Sequence, residues 1–258
     1  MRSELFEAVW RLADVGERVG RAGPGAVLLE RAVEIGDAAS ADPAGMDEVP
    51  LLEYARVLYR AGWARAGRGR PETAHQAYTR ALTLADTAAD TTHRLHWQEV
   101  AAESLIGLGD LARAQGRPAD AAELFQRSQT ISEALAAAEP DNTTYQRDVA
   151  LGLTRLADLA QTQGRPADAT DLLQRSQTIS EALVAAEPDN TTYRYDVAVG
   201  LTKLSLLSLN TGEAEVALQG LTRANNILKI LADLDPSTYG DESALLTRLV
   251  RDLSARRD

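Results

Sequence analysis

Few side chains in this chain of 258 residues have a type and spacing that could do chemistry. His93 and His96 are spaced to share a helix face, but a zinc ion would need two more ligands, and only Asp90 and Glu99 are near. His75 belongs to another helical segment, so the pair reads as solvated linker imidazoles. Arg68-Gly69-Arg70-Pro71 has the order of an AT-hook, in which arginines enter a narrow A·T minor groove. The same turn returns as Gly116-Arg117-Pro118, and a formal charge of −11 opposes a polyanion, so the tetrapeptide reads as a turn. Asn142-Thr143-Thr144 and Asn190-Thr191-Thr192 match glycosylation acceptors, yet the same residues suit helix caps: Asn142 or Thr143 can hold the start of the helix that follows.

The absences are equally informative. With no cysteine there is no thiol nucleophile, disulfide or thiolate metal ligand, and a reducing cytoplasm fits. No Gly-x-Ser-x-Gly, phosphate-cradling loop, metalloprotease helix or dinucleotide fingerprint occurs. The expectation is a chain without catalytic residues, cofactor or metal. The N-terminus carries Glu4 and Glu7 and is a poor secretory signal, and no window approaches the apolar length of a membrane span. Among the basic residues only Lys203 and Lys229 are lysine, which fits a GC-rich, bacterial coding bias.

The elements that would position any site are set by repetition. Residues 116–145 and 164–193 are identical at 26 of 30 positions, differing only at 122, 123, 125 and 136 and their counterparts 48 residues later. The period extends through the turn glycines Gly20, Gly69, Gly116, Gly164 and Gly212. Five positions after each stands a small residue: Gly25, Ala74, Ala121, Ala169 or Ala217. Nine after stands a large one: Leu29, Tyr78, Phe125, Leu173 or Leu221. Twelve after stands a small one again: Ala32, Ala81, Ser128, Ser176 or Ala224. Leu124, Phe125, Ser128, Ile131, Leu135 and Ala138 have helical spacing, Gly-Arg-Pro is a turn with proline at the first helical position, and Glu139-Pro140 and Glu187-Pro188 end helices. No alternating strand pattern appears.

The pairs Leu108-Gly109, with Gly116, Ala121, Phe125 and Ser128, resemble the tetratricopeptide repeat, with serine in place of the last alanine. The usual repeat has about 34 residues, whereas this one has 48. The surplus divides into about seven residues per helix, roughly two turns or about 10 Å, which leaves the buried stripe nearly in phase. The resemblance implies an all-α fold: a right-handed α-α solenoid (superhelix) of five helix pairs plus a C-terminal capping helix. The whole chain, 1–258, is expected to be one such domain, with repeats at about 4–41, 51–92, 97–140, 144–188 and 192–236, and the capping helix at 241–257.

The resemblance further implies binding along the first helices. In that register one column reads Arg11, Arg60, Gly107, Arg155, Lys203, the column before it begins with Trp10 and Tyr59, and the column three after reads Asp14, Trp63, Asp110, Asp158, Leu206. The candidate groove is therefore Trp10, Arg11, Tyr59, Arg60, Trp63, Asp110, Arg155, Asp158 and Lys203. Two readings stand: charge pairs within helices on a wet surface, or arginine forks holding an acidic or C-terminal-carboxylate peptide, with the aromatics as anchors. The implied function is a non-catalytic scaffold or adaptor for a protein or peptide, with neither nucleic acid nor membrane as partner. A regulatory or sensor module of a larger bacterial system and a self-assembling structural repeat are the alternatives.

Overall fold

The computed structural model describes residues 22–40, 48–88 and 93–255. Trp10, Arg11, Asp14, Asp90 and the tail 256–258 lie outside the described residues. The described residues form ten helices: α1 (Ala22–Ser40), α2 (Glu48–Gly67), α3 (Pro71–Thr87), α4 (Arg94–Ala114), α5 (Pro118–Ala138), α6 (Thr143–Thr162), α7 (Pro166–Ala186), α8 (Thr191–Asn210), α9 (Ala214–Leu234) and α10 (Pro236–Ser254). They contain no strand. The chain divides into two compact units, Met1–Leu135 and Ala136–Asp258.

Local chemistry places each boundary. Gly116 has φ of 72°, the left-handed conformation that a side chain disfavours. Its N–H donates to Arg113 O at 3.0 Å and the Arg117 N–H reaches back to Ala112 O at 2.9 Å, the two bonds of a Schellman stop. Pro118 then starts α5, and Arg117 donates to Asp120 at 2.6 Å in its first turn. The same bonding recurs at Gly69, Gly164 and Gly212. At the other ends, the Asn142 side chain accepts from the N–H groups of Thr144 and Tyr145, and Asn190 accepts from Thr192 and Tyr193. Asparagine, rather than Thr143, is the cap. Pro236 both follows α9 and opens α10, whose cap is Asp235. The helices from α4 to α9 have 20 or 21 residues each, the lengthened form that the 48-residue period demands.

The α2–α3 and α4–α5 hairpins are sealed by aromatic rings set against glycines. In the first unit the Phe125 ring of α5 lies where a Cβ on Gly109 of α4 would stand, 2.5 Å away. The Tyr78 ring of α3 does the same to Gly62 of α2 in its own hairpin, at 2.7 Å, and to Gly107 of the following helix α4, at 2.4 Å. Both rings are buried. Truncating such an aromatic costs about 3–5 kcal/mol, so these contacts carry much of the hairpin's stability. Serine at the third small position also has a role: Ser128 Oγ donates to Ala102 O at 2.9 Å. In the second unit Ser176 Oγ donates to Ala150 O at 2.8 Å. A buried hydroxyl is thus satisfied across the seam, while its backbone neighbours stay helical.

Helix α8 buries Val197, Leu201 and Ser205 against α9. Forty-six residues later, on α10, stand Ser243, Thr247 and Arg251, of which Ser243 is buried. Leu246 is buried in the cluster with Leu228 and Leu231, and Thr247 donates to Asn225 at 2.8 Å.

In the first unit, Arg65 of α2 grips Glu30 of α1 with Nε at 3.0 Å and Nη2 at 2.5 Å. These bonds hold the Glu30 carboxyl below its ordinary value, outweighing the burial that would raise it. A lowered folded value means stabilisation that is complete above the unfolded pKa of about 4.3 and is lost as pH falls through the folded value. The difference in urea-unfolding free energy between wild type and Glu30→Gln is expected to stay constant from about pH 8 to about pH 5 and to narrow below about pH 4.3. A second variant tests the seam. Gly109→Ala should destabilise by about 1–3 kcal/mol in the same assay, despite a helix-propensity gain of about 1 kcal/mol.

Candidate protein-binding face

The residues singled out in the sequence fall on the first helices of the hairpins. On α2, Tyr59 is half-buried and its ring meets Tyr78 at 5.9 Å, so it is a wall of the core as much as a surface. Trp63 is 67% exposed, unusual for so large an apolar side chain, and Arg60 precedes it by one turn. On α4, Asp110 accepts from Arg113 at 3.1 Å, an ion pair within the helix. On α6 and α8, Asp158 and Lys203 meet directly, Nζ to Oδ1 at 2.5 Å. Arg155 is half-buried on α6. Of the nine candidates, then, the structure joins Asp158 to Lys203 and groups Tyr59, Arg60 and Trp63 on one stretch of α2.

The Asp158 pairing differs from a bond within one helix. It ties neighbouring first helices, and it has company. Arg147 of α6 grips Asp196 of α8 with two nitrogens, at 2.5 and 3.2 Å, and these bonds raise the arginine's pKa. Within the first unit Arg56 of α2 reaches Glu99 of α4 at 3.3 Å. Forked, partly buried pairs hold geometry better than exposed ones, because less solvent screens them.

Between α8 and α10 the chemistry changes. Tyr195 donates to Glu242 at 3.0 Å and its ring meets Tyr239 at 5.4 Å. Burial first, then the Glu242 carboxylate, push the Tyr195 hydroxyl up to about 12. Leu206 stands 48 residues after Asp158, and Leu249 stands 46 after Lys203. Where α6 and α8 exchange an ion pair, α8 and α10 therefore present two leucines. These, with Val199, Lys203, Leu245 and Glu242, line a groove of about 390 Å³. Leu206 and Leu245 are 40% and 69% exposed at its mouth. Reading the columns one helix beyond Lys203 would have found this groove, because the charge pattern breaks at Leu206.

Elsewhere the surface offers little chemistry. His93 and His96 meet edge to face at 6.0 Å. Among the described residues no group of three or more His, Asp or Glu side chains is placed to hold a metal ion, and no helix is long and apolar enough to cross a membrane. The inter-helix pair is the measurable electrostatic element. A double-mutant cycle with Asp158→Asn and Lys203→Met should give a coupling of about 0.2–1 kcal/mol by urea unfolding, shrinking at high salt.

No family model and no curated protein matches the chain by sequence. Solved structures do match by shape. BtubC (BKLC) from P. vanneervenii is similar at a TM-score of 0.64 and 17% identity, over 89% of this chain and 83% of that one. The apo form of RapI reaches a TM-score of 0.66 at 12% identity, over 98% of this chain and 84% of that one. A Podosopora anserina structure of nearly identical TPR-like repeats aligns over 92% of this chain and 99% of that one, with a TM-score of 0.54 and 17% identity. With its ten described helices, Schellman-stopped hairpins and these neighbours, the chain has the all-α solenoid fold of the tetratricopeptide-like repeat proteins.

Proposed function

We propose that this chain is a non-catalytic scaffold that binds a protein or peptide, and that the groove between α8 and α10 is a principal contact. The observation that carries the reading is the pair of exposed leucines, Leu206 and Leu245, over an apolar floor. Apolar grooves between helices suit an amphipathic helix, which buries a stripe of side chains at i, i+3, i+4 and i+7. Glu242 and Lys203 at the rim would fix its direction. On the first unit, Trp63 with Arg60 forms a second patch, suited to an apolar anchor beside a carboxylate. Arg155 and Asp110 are assigned to the same first-helix surface of their own units.

Two further features support the reading. The described residues hold no assembled nucleophile, base and oxyanion donor of the kind a reaction needs. The absence of cysteine suits a reducing cytoplasm, where we place the scaffold.

A helical-peptide library panned against the intact protein tests the groove. Selected peptides should bind Leu245→Glu at least about tenfold more weakly, the worth of one lost leucine contact in a hydrophobic pocket. They should bind Thr178→Glu, an exposed change on α7, as tightly as wild type, with both variants retaining the helical circular-dichroism spectrum. Equal binding to Leu245→Glu and wild type would overturn the groove assignment.

A further inference from the structure

The groove between α8 and α10 is polarised along its length. Helix α9 runs back along both of its neighbours: Ser205 of α8 stands beside Gly220, and Thr247 of α10 donates to Asn225. Two reversals leave α8 and α10 pointing the same way. They run from an end marked by the Tyr195–Glu242 bond to an end marked by Leu206 and Leu249. The first end is acidic. Asp241 and Glu242 are both exposed, and among the described residues no ion pair engages either. Tyr195 donates to Glu242 as a neutral phenol, so the carboxylate keeps its charge. Asp241 precedes Leu245 by four residues and shares its stripe of α10, beside the exposed leucine. The cations lie further along. Lys203 is about two turns beyond Tyr195 and is matched by Asp158, and Arg248 comes after Leu245.

The apolar part has a definite reach. From Val199 to Leu206 the α8 wall rises about 10 Å, the span of side chains at i, i+4 and i+7 on a docked helix. Leucine and valine there accept such a stripe in either direction. The next turn of the visitor then meets one end of the groove or the other. At the acidic end an apolar or acidic side chain would strip water from Asp241 and Glu242 without replacing it. A lysine or arginine would match them while its stem stays on the apolar wall.

From this polarity we infer that the groove takes an amphipathic helix of a partner protein whose last turn carries lysine or arginine. It lies antiparallel to α8 and α10, with those cations on Asp241 and Glu242. The inference rests on the groove reading above and adds the charge and direction of its occupant. Charge complementarity carries it, because only the end carboxylates distinguish a basic terminus from an acidic one. Cations in a last turn also suit the visiting helix's own dipole. The net charge of −11 draws a basic segment in from a distance, less so as salt rises.

Fluorescence anisotropy on the intact chain tests this with three labelled helical peptides sharing leucines at i, i+4 and i+7. One has two lysines in its last turn, one has two glutamates there, and one has the lysines in its first turn. The first should bind at least about tenfold more tightly than either other in about 0.05 M salt, with the gap narrowing in about 0.5 M salt. Asp241→Asn combined with Glu242→Gln, which keeps an acceptor for Tyr195, should bring all three within about twofold of one another. Leu245→Gln, which adds no charge, should weaken every peptide about tenfold. Equal binding of the three by wild type, or a preference that survives in the double variant, would overturn the inference. Weaker binding to Leu245→Gln would then leave the groove reading standing. If no peptide binds, or Leu245→Gln binds all as wild type does, both readings fall. A wild type that self-associates through Leu245 in sedimentation velocity would give the groove to a second copy and also sink the inference.

Discussion

Everything in these units depends on how closely two helices of a hairpin can approach. An aromatic ring on one helix is buried only if the facing helix has no Cβ at the point of contact. Phe125 against Gly109 and Tyr78 against Gly62 meet that condition. The approach also has to be reached in register, and the Schellman turn at Gly116 fixes it by reversing the chain within a few residues. Turn and seam are one constraint: a glycine that stops the first helix sets which residue of the second lands on the glycine of the seam. The turn recurs with the 48-residue period, whereas in the second unit Ala157 and Ser205 take the place of the seam glycine and Leu173 and Leu221 that of the ring.

Hairpins alone do not make an array. Their first helices must also be joined, and in the second unit polar bonds do this at chosen points: Arg147 to Asp196 and Lys203 to Asp158. Such pairs add modest stability, because desolvation offsets most of the Coulomb gain. Their larger effect is to align one helix against the next and to fill the inner surface with satisfied charge. Where Leu206 and Leu249 replace them, alignment passes to Tyr195, Tyr239 and Glu242, and an apolar surface stays open. The groove of the second unit thus lies where the repeat's own polar fastening has been exchanged for leucine.

Helix α10 bears on this. It packs Leu246 against the α8–α9 core, and its Thr247 donates to Asn225 of α9. The same helix nonetheless leaves Leu245 in solvent on its groove side. Packing on α9 and lining the groove are carried by separate stripes of one helix.

The repeat period, the helix-only class, the turn glycines and the small–large–small seam were legible in the chain itself, since each is local or strictly periodic, and physics assigns each a single cheap conformation. The choice of Asn142 over Thr143 as cap was not, because both have a suitable oxygen and only the backbone geometry decides between them. Partners of charged side chains were likewise hidden. Asp158 sits three residues from Arg155, close enough to suggest a bond within α6, yet the structure joins it to Lys203 on the neighbouring helix. Long flexible side chains have several partners within reach, and helix spacing, which no local sequence rule encodes, selects among them. The groove belonged to this second kind: leucines 43 residues apart become its two walls only when α8 and α10 lie side by side. Sequence alone determined which elements form and where they turn, through local sterics and periodic burial. Tertiary structure decided which side chains meet and which stay exposed, because those outcomes depend on distances between helices.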